Sequence, residues 1–82
     1  MTEDRLSEQE HLAATRKAVI AAALPHVAFD GWSDKTLSLA VEDAGVDPAL
    51  SRLAFPRGGV DLAVAFHNER DAALAEDLAA AA

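Results

Sequence analysis

The residues that most constrain the fold lie between Ser33 and Phe55, where two short helical patterns meet at a glycine. The first pattern places apolar residues at helical spacing, at Leu37, Ala40, Val41 and Ala44. Gly45 follows directly, and glycine lets a helix end through a left-handed residue at little steric cost. The spacing therefore predicts a tight turn at Gly45 with a positive φ angle.

The second helix of this stretch begins after Val46, at Asp47 and Pro48. Asp is a favoured N-cap, and Pro suits the first helical turn, where its missing N–H costs no hydrogen bond. Ser33 or Asp34 is suited to cap the preceding helix in the same way. An apolar helix, a glycine turn and a second capped helix form a helix-turn-helix signature.

The composition indicates one small all-α domain. The 82 residues are near the length at which a single core gives only modest stability. Hydrophobic residues make up 51% of the chain, but many of them are Ala and only 5% of all residues are aromatic. Because no run alternates apolar and polar residues as a strand does, a sheet is disfavoured.

Charge and residue usage limit the classes of function. The chain has no Cys, which excludes disulfides and thiolate metal sites. We expect no transmembrane segment, since no apolar run approaches the roughly 20 residues of a span. The acidic start is unlike a signal peptide, so we expect a bacterial cytoplasmic protein, peripheral to the inner membrane only through a full-length protein. The net charge of −7 disfavours binding to nucleic acid or anionic membranes.

In chain order, the sequence predicts four helices, at residues 8–30, 34–44, 48–54 and 60–80. Residues 1–7 are charged without periodicity and predict a flexible N-terminal arm before a domain of residues 8–82. Pro25 lies inside the first helix and should kink or divide it near residues 21–24. The chain ends in four Ala without a helix stop signal, so we expect it to be the N-terminal part of a longer protein.

One apolar face of each helix should join a single core. The residues predicted to form it are Leu24, Val27, Trp32, Leu37, Val41, Val46, Leu50, Phe55, Leu62 and Phe66. The inner stripe of the last helix continues this series through Ala73, Leu74 and Leu78. Gly31 should end the first helix, and Asp61 suits the N-terminal dipole of the last.

The order of these elements resembles the N-terminal domain of the tetracycline-repressor family. The residues that carry this resemblance are Gly31-Trp32, Thr36-Leu37, Ala44-Gly45-Val46 and Phe55-Pro56. Three longer runs are more specific: ALPHVAFDGWS from Ala23, LSLAVEDAGVDP from Leu37 and FPRGGVDLAVAFH from Phe55. They resemble the family of ubiquinone-biosynthesis accessory proteins often called Coq nine.

The second resemblance implies a non-catalytic domain of a lipid-binding accessory protein in ubiquinone (coenzyme Q) biosynthesis. In that family a repressor-like N-terminal part precedes a larger helical part that binds isoprenoid lipid and helps the hydroxylase of the pathway reach its substrate. The implied partners are the C-terminal lipid-binding part of the chain's own longer protein and that hydroxylase. The lipid site would then lie beyond Ala82, so that only the full-length protein would bind lipid. The resemblance also allows the full-length protein to be a homodimer.

The tetracycline-repressor resemblance leaves a second function open, the DNA-binding domain of a transcriptional regulator. The second short helix would then present base and phosphate contacts. The candidate residues, which could alternatively form a surface for a protein partner, are Ser51, Arg52, Leu53 and Arg57. A small helical protein-interaction module of another pathway is a third interpretation.

Departures from the repressor pattern weaken the DNA-binding interpretation. The repressors commonly carry aromatic residues late in this helix and a Lys after Phe-Pro. This chain has Leu53-Ala54 and then Arg57-Gly58-Gly59 at those places. Residues 32–60 contain three basic and four acidic side chains, which is a poor electrostatic footprint for DNA. The charge balance therefore favours the accessory-protein interpretation and disfavours nucleic acid as a partner.

Other chemistry has little support in the sequence. His11, His26 and His67 are far apart and lack the i, i+4 spacing of a helical metal site. Ser51 has no His or Asp arranged to activate it, and we expect no enzyme, cofactor or metal. Gly58-Gly59 at a helix start could cradle a phosphate, but the Lys and the strand of a P-loop are missing. A plain turn is the simpler interpretation.

Overall fold

The computed structural model describes residues 2–81, with side chains described for residues 7–78. Within this range the chain forms four helices, α1 (Thr2–Asp30), α2 (Asp34–Ala44), α3 (Pro48–Ala54) and α4 (Gly59–Ala81). The described residues contain no strand, and the predicted all-α class is confirmed. The bounds of α2 and α3 are those predicted, and α4 begins one residue earlier than predicted.

The long helix α1 is the element on which the others pack, since it contacts α2, α3 and α4. Its buried face consists of Val19, Ile20 and Ala23. These three side chains join one core with Ala40, Val41, Ala54, Phe55 and Leu62. The molecule is flat, with extents of 40, 39 and 19 Å, because α1 and α4 are long and the core between the helices is small.

The predicted core is correct near the middle of the chain. Val41, Phe55 and Leu62 are buried in it. Four further predicted members lie half-buried against this core: Trp32, Leu37, Val46 and Phe66. The Trp32 and Phe66 rings are 4.9 Å apart between centroids, so Trp32 joins α4 to the end of α1. Val27 and Leu50 are half-buried.

Four predicted core residues are exposed: Leu24, Ala73, Leu74 and Leu78. Leu24 is 47% exposed because the buried face of α1 is centred on Val19 and Ala23, and Leu24 lies beyond its edge. Leu74 and Leu78 are 58% and 65% exposed because every described side chain of α4 beyond Phe66 is exposed. The inner stripe assigned to α4 is therefore wrong in its second half.

The first helix differs from its prediction at its start and at Pro25. It begins at Thr2 and not at Glu8, so residues 2–7, predicted as a flexible arm, are helical. Pro25 lies inside one continuous helix, so the predicted division near residues 21–24 is absent. Gly31 follows the last helical residue with φ 66°, as predicted for the end of this helix.

The length and composition of α1 also meet the criterion for a membrane span. The segment from Ser7 to Asp30 is long and apolar enough to cross a membrane by that criterion alone, contrary to the expectation from apolar runs. Core helices of proteins without spans meet the same criterion. This segment carries Val19, Ile20 and Ala23, which are buried against the other helices.

The predicted caps of α2 and α3 are confirmed. The Ser33 hydroxyl accepts a hydrogen bond from the Thr36 N–H at 3.2 Å. The Asp47 carboxylate accepts one from the Ala49 N–H at 2.8 Å. Gly45 ends α2 with φ 68° in the left-handed region, and its N–H donates to a carbonyl of the last turn. These caps supply partners for backbone groups that a helix end leaves unpaired.

Gly45→Val should destabilise the chain by more than about 1 kcal/mol, because a β-branched residue at this left-handed position is strained. A thermal melt compared with that of the native chain measures the effect. Ser38→Val, at an exposed position of the same helix, is the control and should change stability by less than about 0.5 kcal/mol. An unchanged melting midpoint for Gly45→Val would contradict the prediction.

Candidate interaction surface

The end of α1 and the start of α2 are joined by a buried threonine. The Thr36 side chain is 0% exposed, and its hydroxyl donates to the Gly31 carbonyl at 2.6 Å. The Ser33 hydroxyl in turn donates to Thr36 Oγ1 at 3.2 Å. Since a buried hydroxyl without a partner is costly, this network fixes the direction in which α2 leaves α1.

The start of α4 lies directly against the start of α2. The Gly59 N–H donates to Asp34 Oδ1 at 2.8 Å, across 25 residues of sequence. A Cβ atom at Gly59 would lie 2.6 Å from the Ser33 carbonyl carbon and 2.9 Å from the Asp34 nitrogen. Only glycine therefore permits this approach of two helix starts.

This contact decides between the two interpretations of Gly58-Gly59. Gly58 has φ 68°, the left-handed conformation of a turn residue. The Gly59 N–H, which a phosphate cradle would require, is bonded to the chain's own Asp34 carboxylate. The geometry supports the turn interpretation.

Arg57 is held at the start of α4 by Asp61. The Arg57 backbone N–H donates to Asp61 Oδ2 at 2.7 Å, and its side-chain Nε–H donates to Oδ1 at 2.8 Å. The guanidinium Nη2 forms an ion pair with the same Oδ1 at 2.7 Å. The backbone hydrogen bond from Arg57 lowers the pKa of the Asp61 carboxyl below its ordinary value, and the side-chain bond and the guanidinium charge lower it further. The candidate cation is thus already paired with a carboxylate, which the i, i+4 spacing could have indicated.

The four candidate interaction residues do not form a single cluster. Ser51 and Arg52 line a groove of about 400 Å³ between α2 and α3, and Ser51 is only 6% exposed on its wall. The other residues of this groove are Leu37, Ser38, Val41, Glu42, Val46 and Pro48. Leu53 is 70% exposed outside it, and Arg57 is exposed beside α4. Whether these residues contact a partner stays a prediction.

A larger groove, which the sequence did not predict, lies between α1 and α4. It encloses about 750 Å³. Arg16 and Lys17 line it from α1, and Glu69 and Glu76 line it from α4. Much of the remaining lining is Ala, so the groove forms where small side chains leave the two helices apart.

The histidines show no arrangement for metal binding. His26 Nε2 and Asp43 Oδ2 are 2.6 Å apart, which joins α1 to α2 by one hydrogen bond. His11 and His67 are exposed on different helices. Over the part of the chain with described side chains, no three His, Asp or Glu residues come together as a metal site requires.

Comparison with known proteins shows a similarity over most of the chain. The chain resembles COQ9. It is 33% identical over 72 residues to the protein named ubiquinone biosynthesis protein COQ9, mitochondrial, of Drosophila melanogaster. The matched region covers 88% of this chain and 22% of the COQ9 protein, so the chain spans less than a quarter of that relative's length. No protein-family model matches the chain, and no solved structure matches it.

The similarity to COQ9 agrees with the resemblance carried by the three sequence runs. These runs hold the fold together: Ala23, Val41, Phe55 and Leu62 are buried members of the core, and Gly59 allows the contact between α2 and α4. The tetracycline-repressor resemblance stays a prediction.

Gly59→Ala should destabilise the chain, although replacing Gly by Ala within a helix normally stabilises it by about 1 kcal/mol. The added methyl group would displace α4 from Ser33 and weaken the Asp34 hydrogen bond. Urea unfolding measures the sign of the change. Asn68→Ala, an exposed position of α4, is the control and should leave stability unchanged or raise it. A more stable Gly59→Ala variant would show that the contact is not tight.

The Asp61 carboxylate should stabilise the fold in a pH-dependent way. Because folding lowers the pKa of this carboxyl, its contribution is present above about pH 3.9 and is lost as pH falls through the folded-state pKa. Asp61→Asn should therefore be less stable than the native chain in urea unfolding at neutral pH, and the difference should shrink near pH 3.

Asp77→Asn, at an exposed position near the other end of α4, is the matched control for this measurement. Its difference from the native chain should stay small at both pH values. A stability difference for Asp61→Asn that is the same at neutral and acid pH would contradict the predicted role of the Arg57–Asp61 pair.

Proposed function

We propose that this chain is a non-catalytic domain of a COQ9-like accessory protein in ubiquinone (coenzyme Q) biosynthesis. The observation that carries this proposal is the 33% identity to a COQ9 protein over 72 residues. Since the chain spans 22% of that protein, the proposal assigns isoprenoid-lipid binding to regions outside these residues.

The positions in the fold of the three sequence runs that resemble the accessory-protein family support a structural role. In a catalytic domain, the residues that carry a resemblance include polar side chains directed into a pocket. Here the runs resembling the COQ9 family supply the buried residues Phe55 and Leu62 and the close contact at Gly59. Buried apolar residues and a close backbone contact stabilise a fold, as expected for a domain with a structural role.

The exposed end of α3 is a surface that suits a protein contact. Leu53 is 70% exposed, and the neighbouring Arg52 is also exposed. An exposed leucine beside an arginine supplies both apolar area and a charge that can orient a partner. We infer that a protein of the same pathway, the hydroxylase in the first instance, contacts this end of α3.

Ion pairing within the chain disfavours the alternative, a DNA-binding regulator. Residues 32–60 contain three cations, and two of them lie beside carboxylates. Arg57 Nη2 is 2.7 Å from Asp61 Oδ1, and Lys35 Nζ is 3.6 Å from Asp30 Oδ1. DNA affinity depends on cationic side chains that neutralise phosphates and so release counterions from the DNA. Because Arg52 is the one cation of residues 32–60 that does not lie beside a carboxylate in this way, its electrostatic attraction to DNA is weak.

A duplex titration separates the two functions. At physiological salt we expect no specific binding of the chain to mixed-sequence duplex DNA tighter than about 10 μM, whereas specific sites usually bind in the nanomolar range. A sequence-dependent complex at sub-micromolar concentration, abolished by Arg52→Ala but not by Arg70→Ala, would establish the regulator function instead. Arg70 is an exposed arginine of α4 and serves as the matched control.

The proposed pathway is tested by deleting the encoding gene and measuring quinones by mass spectrometry. Ubiquinone should fall and its unhydroxylated precursor should accumulate, and the native gene should restore both. Leu53→Asp should restore them incompletely if the end of α3 contacts a partner. Leu24→Asp, at another exposed leucine, is the control and should restore them fully. Unchanged ubiquinone in the deletion strain would refute the proposal.

A further inference from the structure

The groove between α2 and α3 contains a buried hydroxyl that no described residue satisfies. Ser51 is 6% exposed, and its backbone is fully bonded: its N–H donates to the Asp47 carbonyl at 3.0 Å, and its carbonyl accepts from the Phe55 N–H at 2.8 Å. Its hydroxyl has no such partner, yet it is not sealed off, because every fully enclosed polar side-chain atom of the described residues is bonded. Since Ser51 lines the groove, its hydroxyl is available to a molecule bound there.

Two opposite charges line the same groove, one on each wall. Glu42 belongs to α2 and Arg52 to α3, and both side chains are exposed. Neither of them is ion-paired with another residue whose side chain the structure describes. The groove therefore presents one carboxylate and one guanidinium that can each bind a ligand of the opposite charge.

The rest of the groove is mainly apolar and is large enough for a small molecule. Val41 is 9% exposed at its base, and Leu37 and Val46 are half-buried beside it. Small-molecule sites usually have volumes of about 300–1,000 Å³, and this groove of about 400 Å³ lies within that range. A branched aliphatic group would bury apolar surface here.

We propose that this groove binds a free amino acid with an apolar side chain. The Arg52 guanidinium binds the ligand carboxylate, and the Glu42 carboxylate binds the ligand ammonium group. The Ser51 hydroxyl donates to the same ligand carboxylate. The aliphatic side chain of the ligand packs on Val41 and Val46, so every polar group of the ligand and the apolar part each have a counterpart in the groove.

The combination of polar groups disfavours simpler ligands. A plain carboxylic acid would bring a further negative charge to a groove that Glu42 lines, in a chain of net charge −7. A plain amine would leave the Arg52 guanidinium without an anion. A purely apolar ligand would cover the Ser51 hydroxyl without bonding to it, which costs free energy.

This binding site does not depend on the proposed function. It is formed by residues of α2 and α3 alone, and Leu53, the exposed leucine of the proposed partner contact, lies outside the groove. Leu53→Asp should therefore leave amino-acid binding unchanged, so that the two proposals can fail separately.

Titration followed by NMR of the backbone amides tests the proposal with defined probes. L-leucine should shift amides of α2 and α3 with a Kd of about 1 mM or tighter, as expected for a ligand of this size in an open groove. Glycine lacks the side chain, N-acetyl-leucine lacks the ammonium group and leucinamide lacks the carboxylate. Each of the three should bind at least about fivefold more weakly than leucine.

Ser51→Ala separates ligand binding from a structural role of the hydroxyl. It should weaken leucine binding by about threefold or more, whereas the melting midpoint should not fall, because the removed hydroxyl has no partner in the fold. Arg52→Gln should weaken leucine binding by about tenfold. Arg70→Gln, at an exposed arginine of α4, is the matched control and should bind leucine as the native chain does.

Several outcomes would overturn the proposal. The first is the absence of amide shifts in α2 and α3 at about 10 mM leucine. The second is equal binding of leucine and N-acetyl-leucine, which would show that the ammonium group is not recognised. The third is native affinity in Ser51→Ala or Arg52→Gln. An amphipathic helical peptide that shifts these amides when leucine does not would make the groove a peptide-docking site instead.

Discussion

The hydrogen bond from the Gly59 N–H to Asp34 sets the relation between the two halves of the fold. It holds the start of α4 against the start of α2, and the backbone at Gly59 approaches Ser33 so closely that a side chain would not fit. Ser33 also caps α2, and Thr36 joins that cap to the end of α1. Three helices are therefore oriented within a few residues of one another, and the core closes beneath that junction.

Local patterns in the sequence predicted most of the helical elements, because caps and glycine turns act over a few residues. Ser33, Asp47 and Gly45 perform the roles that their residue types indicate. The sequence did not predict which apolar side chains are buried. Leu24 lies beyond the edge of the buried face of α1, and Leu74 lies on a different face of α4 from the buried Leu62. Apolar periodicity predicts which face of a helix is apolar, but it does not predict which other helix packs against that face.

The sequence named the candidate interaction residues without predicting how they are arranged, and their contact with a partner stays a prediction. Arg52 and Leu53 are exposed as expected for contact residues, whereas Ser51 lies on the wall of a groove. The pairing of Arg57 with Asp61 follows from helical spacing, since the residues are four apart and Asp61 begins a helix. The contact between Asp34 and Gly59 could not be predicted in this way, because it joins groups distant in sequence.

The thinness of the molecule has a consequence for its stability. At 19 Å in its shortest dimension, the fold is about two helices thick, so each helix buries one side and leaves the other in solvent. A plate of this kind has a high ratio of surface to volume, and its own core supplies little reserve of folding free energy. Binding on either broad side would raise the melting temperature by mass action. The thermal stability of this chain would then depend on what covers its broad sides as well as on its sequence.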